Sequence, residues 1–198
     1  MKNPLDTIKG TLIAGLVIAI ALVFVAGKSG HFSDLVFMRW LHIAAGITWI
    51  GLLYYFNFVQ VPALAAATAD KGGPGGAGIS KYVAPRALLW FRWGAVVTWL
   101  SGAAYLARMG ELLGVFTFGL AGAARPTIMI GAWLGTIMLF NVWVLIWPNQ
   151  QKLLGMKPAT DEEKTKARRV AFLASRTNTM LSIPMILFMA SSVHGSLF

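Results

Sequence analysis

The sequence predicts an all-α fold: an integral membrane bundle of five transmembrane helices, N-terminus inside and C-terminus outside. Three observations carry this. Of 198 residues, 57% are hydrophobic and only 12% are charged, against about 25% charged in an ordinary soluble domain. Five apolar stretches recur, at roughly 11–27, 36–61, 86–107, 127–147 and 178–194. Each approaches the ~20 residues that cross a hydrocarbon core of about 30 Å. Finally, 13 of the 17 Lys and Arg fall before the first stretch or around the connections from second to third and fourth to fifth. Basic loops stay cytoplasmic, which sets the orientation. So short a chain has no soluble core large enough to hide five such stretches, and 1–198 is taken as one transmembrane domain.

The net charge of +10 then belongs to loops facing anionic lipid, and no nucleic-acid partner is needed. Cysteine is absent. That excludes disulfides, iron–sulfur clusters, thiolate zinc sites and a covalently attached c-type haem.

Each element has its own signals. TLIAGLVIAIALVFVAG (11–27) follows Lys2 and Lys9, and VAGKSGH offers only a poor A-x-A cleavage site, so helix 1 is expected to remain as a signal anchor. The second stretch contains WLHIAAGITWIGLLYYFNFVQ (40–60). At 100° per residue, His42, Gly46, Trp49, Leu53, Asn57 and Gln60 fall on one stripe, with Ala44, Gly51, Tyr55 and Phe58 opposite. The polar stripe is expected to face the bundle. DKGGPGGAGISKYVAP (70–85) reads as a flexible linker, since no P-loop motif is present. The apolar outer connection 109–126 is expected to lie on the membrane surface near His31, covering a site or docking a partner. GAWLG (131–135) is a small-xxx-small contact, and the amides Asn141 and Asn178 read as helix pins. Thr160 with Glu163 forms a capping box for a helix running towards the last span, where Pro184 predicts a kink. Trp40, Trp90, Trp93, Trp147, Tyr54 and Tyr82 sit near predicted span ends, as interfacial anchors do.

The candidate chemistry rests on three histidines, His31, His42 and His194. Helices 2 and 5 of the five predicted run antiparallel, so His42 near the start of one and His194 near the end of the other share the outer side. Their depths agree within about one 5.4 Å turn. Two imidazoles facing each other across a bundle suit the iron of a b-type haem, with His31 in reserve. Gly46 would let the flat macrocycle approach the backbone, and Trp49 or Met189 would pack on its face. On the residues alone three readings stay open: haem ligation, a His42 that only hydrogen-bonds a neighbouring helix, and another metal.

LHIAAGITWIGLLYYFN, LLWFRWGAVVTWLSG, GAWLGTIMLFNVWVLIWPNQQK and RTNTMLSIPMILFMASSVH together resemble the membrane region of bacterial membrane-bound urate oxidases, over about 38–198. The run N-V-W-x-x-I-W-P-N-Q-x-K (141–152) is the most specific part. The opening H-x-x-x-G-x-x-W-x-G is similar, more distantly, to membrane protoporphyrinogen oxidases and CopD-type copper proteins. The resemblance to the former implies haem at His42. It also implies an oxidoreductase of the bacterial inner membrane, moving electrons near the periplasmic face. Those urate oxidases carry further helices and a cytochrome c domain that this sequence lacks, so urate turnover by this chain alone is not expected. Implied partners are the lipid bilayer, a periplasmic cytochrome or a larger membrane complex, and further copies of the chain. The rivals are a cofactor-free accessory subunit and a copper carrier.

Overall fold

Pro62, Pro85 and Pro148 mark the three places where the main helices depart from α geometry. In the computed structural model, which describes residues 3–27 and 32–195 apart from the side chain of residue 194, each proline follows a π-helical turn. The turns are Tyr55–Gln60, Ile79–Val83 and Asn141–Ile146. The residue just before each proline donates its N–H five residues back: Val61 to Phe56, Ala84 to Ile79 and Trp147 to Val142. Proline has no N–H and its ring crowds the carbonyl four residues earlier. Widening the preceding turn relieves that crowding, so the helix bulges and continues.

The chain forms two compact units, divided after residue 34. The first holds α1 (Ile8–Ala26), capped by the Thr7 hydroxyl, which accepts from the Gly10 N–H at 3.0 Å. Beyond Lys9 and Thr11 in its first turn it is apolar all round, as suits a helix in lipid.

The second unit contains α2 (Asp34–Ala69) from Leu35 on, α3 (Ala84–Arg108), the short α4 (Leu112–Phe116), α5 (Pro126–Leu153) and α6 (Asp161–His194). Side-chain pairings show a closed ring of four long helices, each antiparallel to its neighbours. On α2 and α3, Arg39 meets Tyr105, His42 meets Thr98, and Phe56 meets Phe91. Between α3 and α5, Trp99 donates to the Thr136 hydroxyl at 2.9 Å, Trp93 packs edge-on to Trp143, and Arg92 lies 3.8 Å over the Trp147 ring. Asn141 and Asn178 join α5 to α6, and Tyr54 with Ser182 and Asn57 with Ser175 close the ring from α6 to α2. The core inside contains Trp49, Leu53, Phe56, Leu88, Phe91, Met138, Val142, Ile146 and Met185. Large apolar side chains such as Ile47, Phe58, Leu100, Phe140 and Ile183 are exposed on the outside, the inverse of a soluble bundle and the arrangement that lipid tolerates.

Among the described residues, four helices are long and apolar enough to cross a membrane: α1, α2, α5 and α6 up to Val193. The 86–107 stretch does form a helix, α3, but Arg86, Arg92 and Arg108 leave it short of that apolarity. The expected linker 70–85 is shorter than predicted, because helix resumes at residue 77. The capping box forms: Thr160 accepts from the Glu163 N–H at 3.2 Å, and Glu163 accepts from the Thr160 N–H at 2.9 Å. From there α6 runs unbroken for 34 residues, about 51 Å, through Pro184. That length exceeds the hydrocarbon core, so its polar first turns extend beyond any bilayer.

Connection 109–126 folds onto the end of the bundle. Val115 is fully buried with Leu106 and Ala132, and Met189 packs at their edge. Trp133 donates to the Val115 carbonyl at 3.1 Å. Arg125 pairs with Glu111 at 3.2 Å and donates to the Ser192 carbonyl at 2.9 Å, tying the connection to the last turn of α6. Its expected neighbour His31 lies outside the described residues.

Candidate functional site

Small residues bring α2 and α3 together. Gly94, Thr98 and Gly102 recur every four residues on α3, which places them on one stripe of the helix. A methyl group built at Gly94 would stand 3.4 Å from the Trp49 backbone nitrogen and 3.6 Å from the Ala45 carbonyl. Gly46 faces the same stripe, 3.7 Å from the Thr98 methyl by the same measure. That is ordinary van der Waals contact, so Gly46 lies at the α2–α3 interface with room for a small side chain.

His42 is seated on this stripe. Its imidazole lies against Gly102, where an added methyl would come within 2.9 Å of Cε1 and Nδ1. Nδ1 is 2.8 Å from the Thr98 carbonyl. A carbonyl oxygen only accepts, so the assigned tautomer carries its proton on Nδ1 and donates it. The neutral ring then keeps the lone pair of Nε2 free. Ser101 shares the carbonyl, its hydroxyl lying 3.1 Å from the Thr98 oxygen and 2.6 Å from that of Val97. A histidine held by a carbonyl through one nitrogen, with the other open, is oriented as metal-ligating histidines are.

Two turns deeper, Trp49 is 2% exposed and its indole N–H has no hydrogen-bond partner among the described residues. Met189 stands on another interface, 3.2 Å from a methyl built at Gly131, and packs against the core that contains Trp49. His42, Gly46 and Trp49 therefore line one helix pair, and Met189 meets them only through the core. The His194 side chain and His31 lie outside the described residues. Thr98, Gly94 and Gly102 were missed in the sequence, although their four-residue spacing in GAVVTWLSG was the available signal.

A second polar constellation lies about 22 Å further along α2, fifteen residues from His42. Asn57, 3% exposed, donates to the Leu53 carbonyl at 2.9 Å and to the Ser175 hydroxyl at 2.8 Å. Asn141 donates to Asn178 Oδ1 at 2.8 Å, and Asn178, fully buried, donates to the Met138 carbonyl at 3.0 Å. The Ser182 hydroxyl gives its proton to the Thr179 carbonyl, so Tyr54 donates to Ser182 across 2.9 Å. The buried Gln60 Oε1 has no partner among the described residues. These groups pin α2, α5 and α6 as the sequence anticipated for Asn141 and Asn178. Tyr54, expected as an interfacial anchor, is one of the pins. Among the described residues, no group of three or more His, Asp and Glu is arranged to hold a metal ion.

Long apolar helices, a ring closed by buried amides and an apolar outer surface define a multi-pass α-helical membrane protein. Within that class, the family model for the urate oxidase N-terminal region matches residues 31–114 and 112–198, and the chain belongs to that family. No curated protein matches it, and no solved structure does.

Proposed function

We propose that the chain is a b-type haem-binding membrane subunit of a urate-oxidase-like oxidoreductase. In this reading it spans the bacterial inner membrane five times, with α3 as the third crossing, N-terminus inside and C-terminus outside. It passes electrons near the periplasmic face to a soluble cytochrome or a larger membrane complex. The bond from His42 Nδ1 to the Thr98 carbonyl carries the reading, because it orients a half-buried ring and leaves Nε2 as a ligand atom. Helix register adds support. Tyr54 pairs with Ser182 on the antiparallel α6; twelve residues back along α2 is His42, and twelve on along α6 is His194.

His42 would hold the haem from α2, and His194 is proposed to hold it from α6. A haem held there supplies reversible one-electron transfer. The chain's own contribution is orientation and exclusion of water. Thr98 fixes the His42 tautomer, Gly102 leaves the ring its seat, and connection 109–126 closes that end of the bundle.

The test is the optical spectrum of the purified full chain. A reducible Soret band is expected, with His42→Ala losing the haem or converting it to a high-spin form and His194→Ala doing likewise. If His42→Ala leaves haem content and spectrum untouched, the bond to Thr98 serves packing alone and the haem is held elsewhere; a full chain with no Soret band means the cofactor-free accessory subunit. A C-terminal reporter active in the cytoplasm would reverse the orientation.

A further inference from the structure

The glycine contact between α2 and α3 does not persist along their length. One to two turns beyond Gly94, Phe56 and Phe91 meet edge to face with centroids 5.5 Å apart, and this wedge occupies the place that glycine leaves empty higher up. Beside it a groove of about 440 Å³ opens on the outer surface, lined by Leu52, Tyr55, Tyr82, Arg86, Ala87 and Trp90 with Val83. Its walls are apolar and aromatic except at one end. There Arg86 donates to the Tyr82 carbonyl at 2.6 Å, and the Lys81 ammonium lies 5.4 Å from the centre of the Tyr82 ring. Neither cation has a carboxylate partner among the described residues. Tyr82 and Trp90 are more than half exposed.

We propose that this groove is a binding site for an anionic glycerophospholipid. An acyl chain lies along Leu52, Tyr55, Ala87 and Trp90, and the phosphate sits between Arg86 and Lys81. Three features select this occupant. The groove faces the lipid side of the bundle, where an acyl chain is the solvent. Its one charged lining residue is Arg86, and the Lys81 ammonium stands over the Tyr82 ring at the same end, which complements a molecule with an apolar tail and an anionic head. The Arg86 guanidinium is already held by one hydrogen bond, so less conformational freedom is lost when its remaining donors meet phosphate oxygens. Tyr82 and Trp90 have the amphipathic rings that settle at headgroup level.

Native mass spectrometry of the full chain in mild detergent tests this, with phosphatidylglycerol and phosphatidylcholine of identical acyl chains as probes. Phosphatidylglycerol is expected to be retained at least tenfold better. Each cation near an anionic headgroup is worth about fivefold in affinity, so Arg86→Gln should lose about fivefold and Lys81→Gln/Arg86→Gln about 25-fold. Lys166→Gln/Arg169→Gln, which removes two cations elsewhere, should change nothing. Ala87→Leu fills the groove with both cations in place and should also lose retention, which keeps the test open if the double variant does not fold. Equal retention of the two lipids overturns the proposal, as does an equal loss in the Lys166/Arg169 control. So does displacement by millimolar inorganic phosphate, or a lipid photo-cross-linker at Trp90 that captures protein in place of lipid.

Discussion

The two polar regions of the bundle use buried hydrogen bonds to opposite ends. Around Asn57, Asn141 and Asn178 both members of each bond belong to the protein, and the amides close on one another and on carbonyls until little capacity is left. Around His42 a single bond to Thr98 takes one ring nitrogen and leaves the other open. A network of side chains bonded to one another joins helices, with only Gln60 Oε1 left without a partner among its described residues; a histidine with one nitrogen engaged keeps the other for a ligand. The amide layer therefore holds the helices together, and the histidine end is the one proposed for ligand chemistry.

The sharpest way to break this contrast is Asn178→Leu. It strands the Asn141 side-chain amide in an apolar core, while the Met138 carbonyl keeps the Asn141 backbone N–H, and an unmade buried hydrogen bond costs about 1–3 kcal/mol. A loss of about 3 kcal/mol is expected in a detergent unfolding titration, with the spectrum of any surviving folded protein unchanged. If the spectrum changes as much as the stability, the two regions are not separate.

Gly102→Ala is the reciprocal experiment. Its methyl would stand 2.9 Å from the His42 ring, so the ring must shift relative to the Thr98 carbonyl to make room. Overpacking of this size costs about 1–3 kcal/mol, so a stability loss of about 1 kcal/mol is expected. The haem spectrum should nevertheless shift as far as it does in His42→Gln. An unchanged spectrum would mean that the seat on α3 does not orient the ligand.

Tyr54→Phe should have the smallest effect. It removes one interhelical hydrogen bond between α2 and α6, and such bonds in membranes average about 0.6 kcal/mol. The Ser182 hydroxyl keeps its own acceptor, Thr179, so no buried donor is stranded. A loss above about 2 kcal/mol would show that this contact sets the register of the whole bundle.

Much of the architecture was legible because lipid leaves a chain few choices. The apolar stretches, the capping box at Thr160 and the inward stripe of His42, Trp49, Asn57 and Gln60 follow from periodicity and from the need to satisfy backbone groups internally. The π turns before Pro62, Pro85 and Pro148 were within reach, since each is a local answer to a missing N–H. Yet α6 passes Pro184 without one, so proline alone does not dictate the answer.

The sequence by itself determined the solvent, the helices, the family and which faces turn inward, all of which depend on residues a few positions apart. Only the tertiary structure decided what each polar residue meets. That His42 is held by the Thr98 carbonyl, 56 residues away, depends on a glycine stripe that lets two helices touch. That Asn57 finds Ser175, 118 residues away, depends on four helices closing into a ring. Such partners are fixed by the summed packing of whole helices, and no local pattern carries that information.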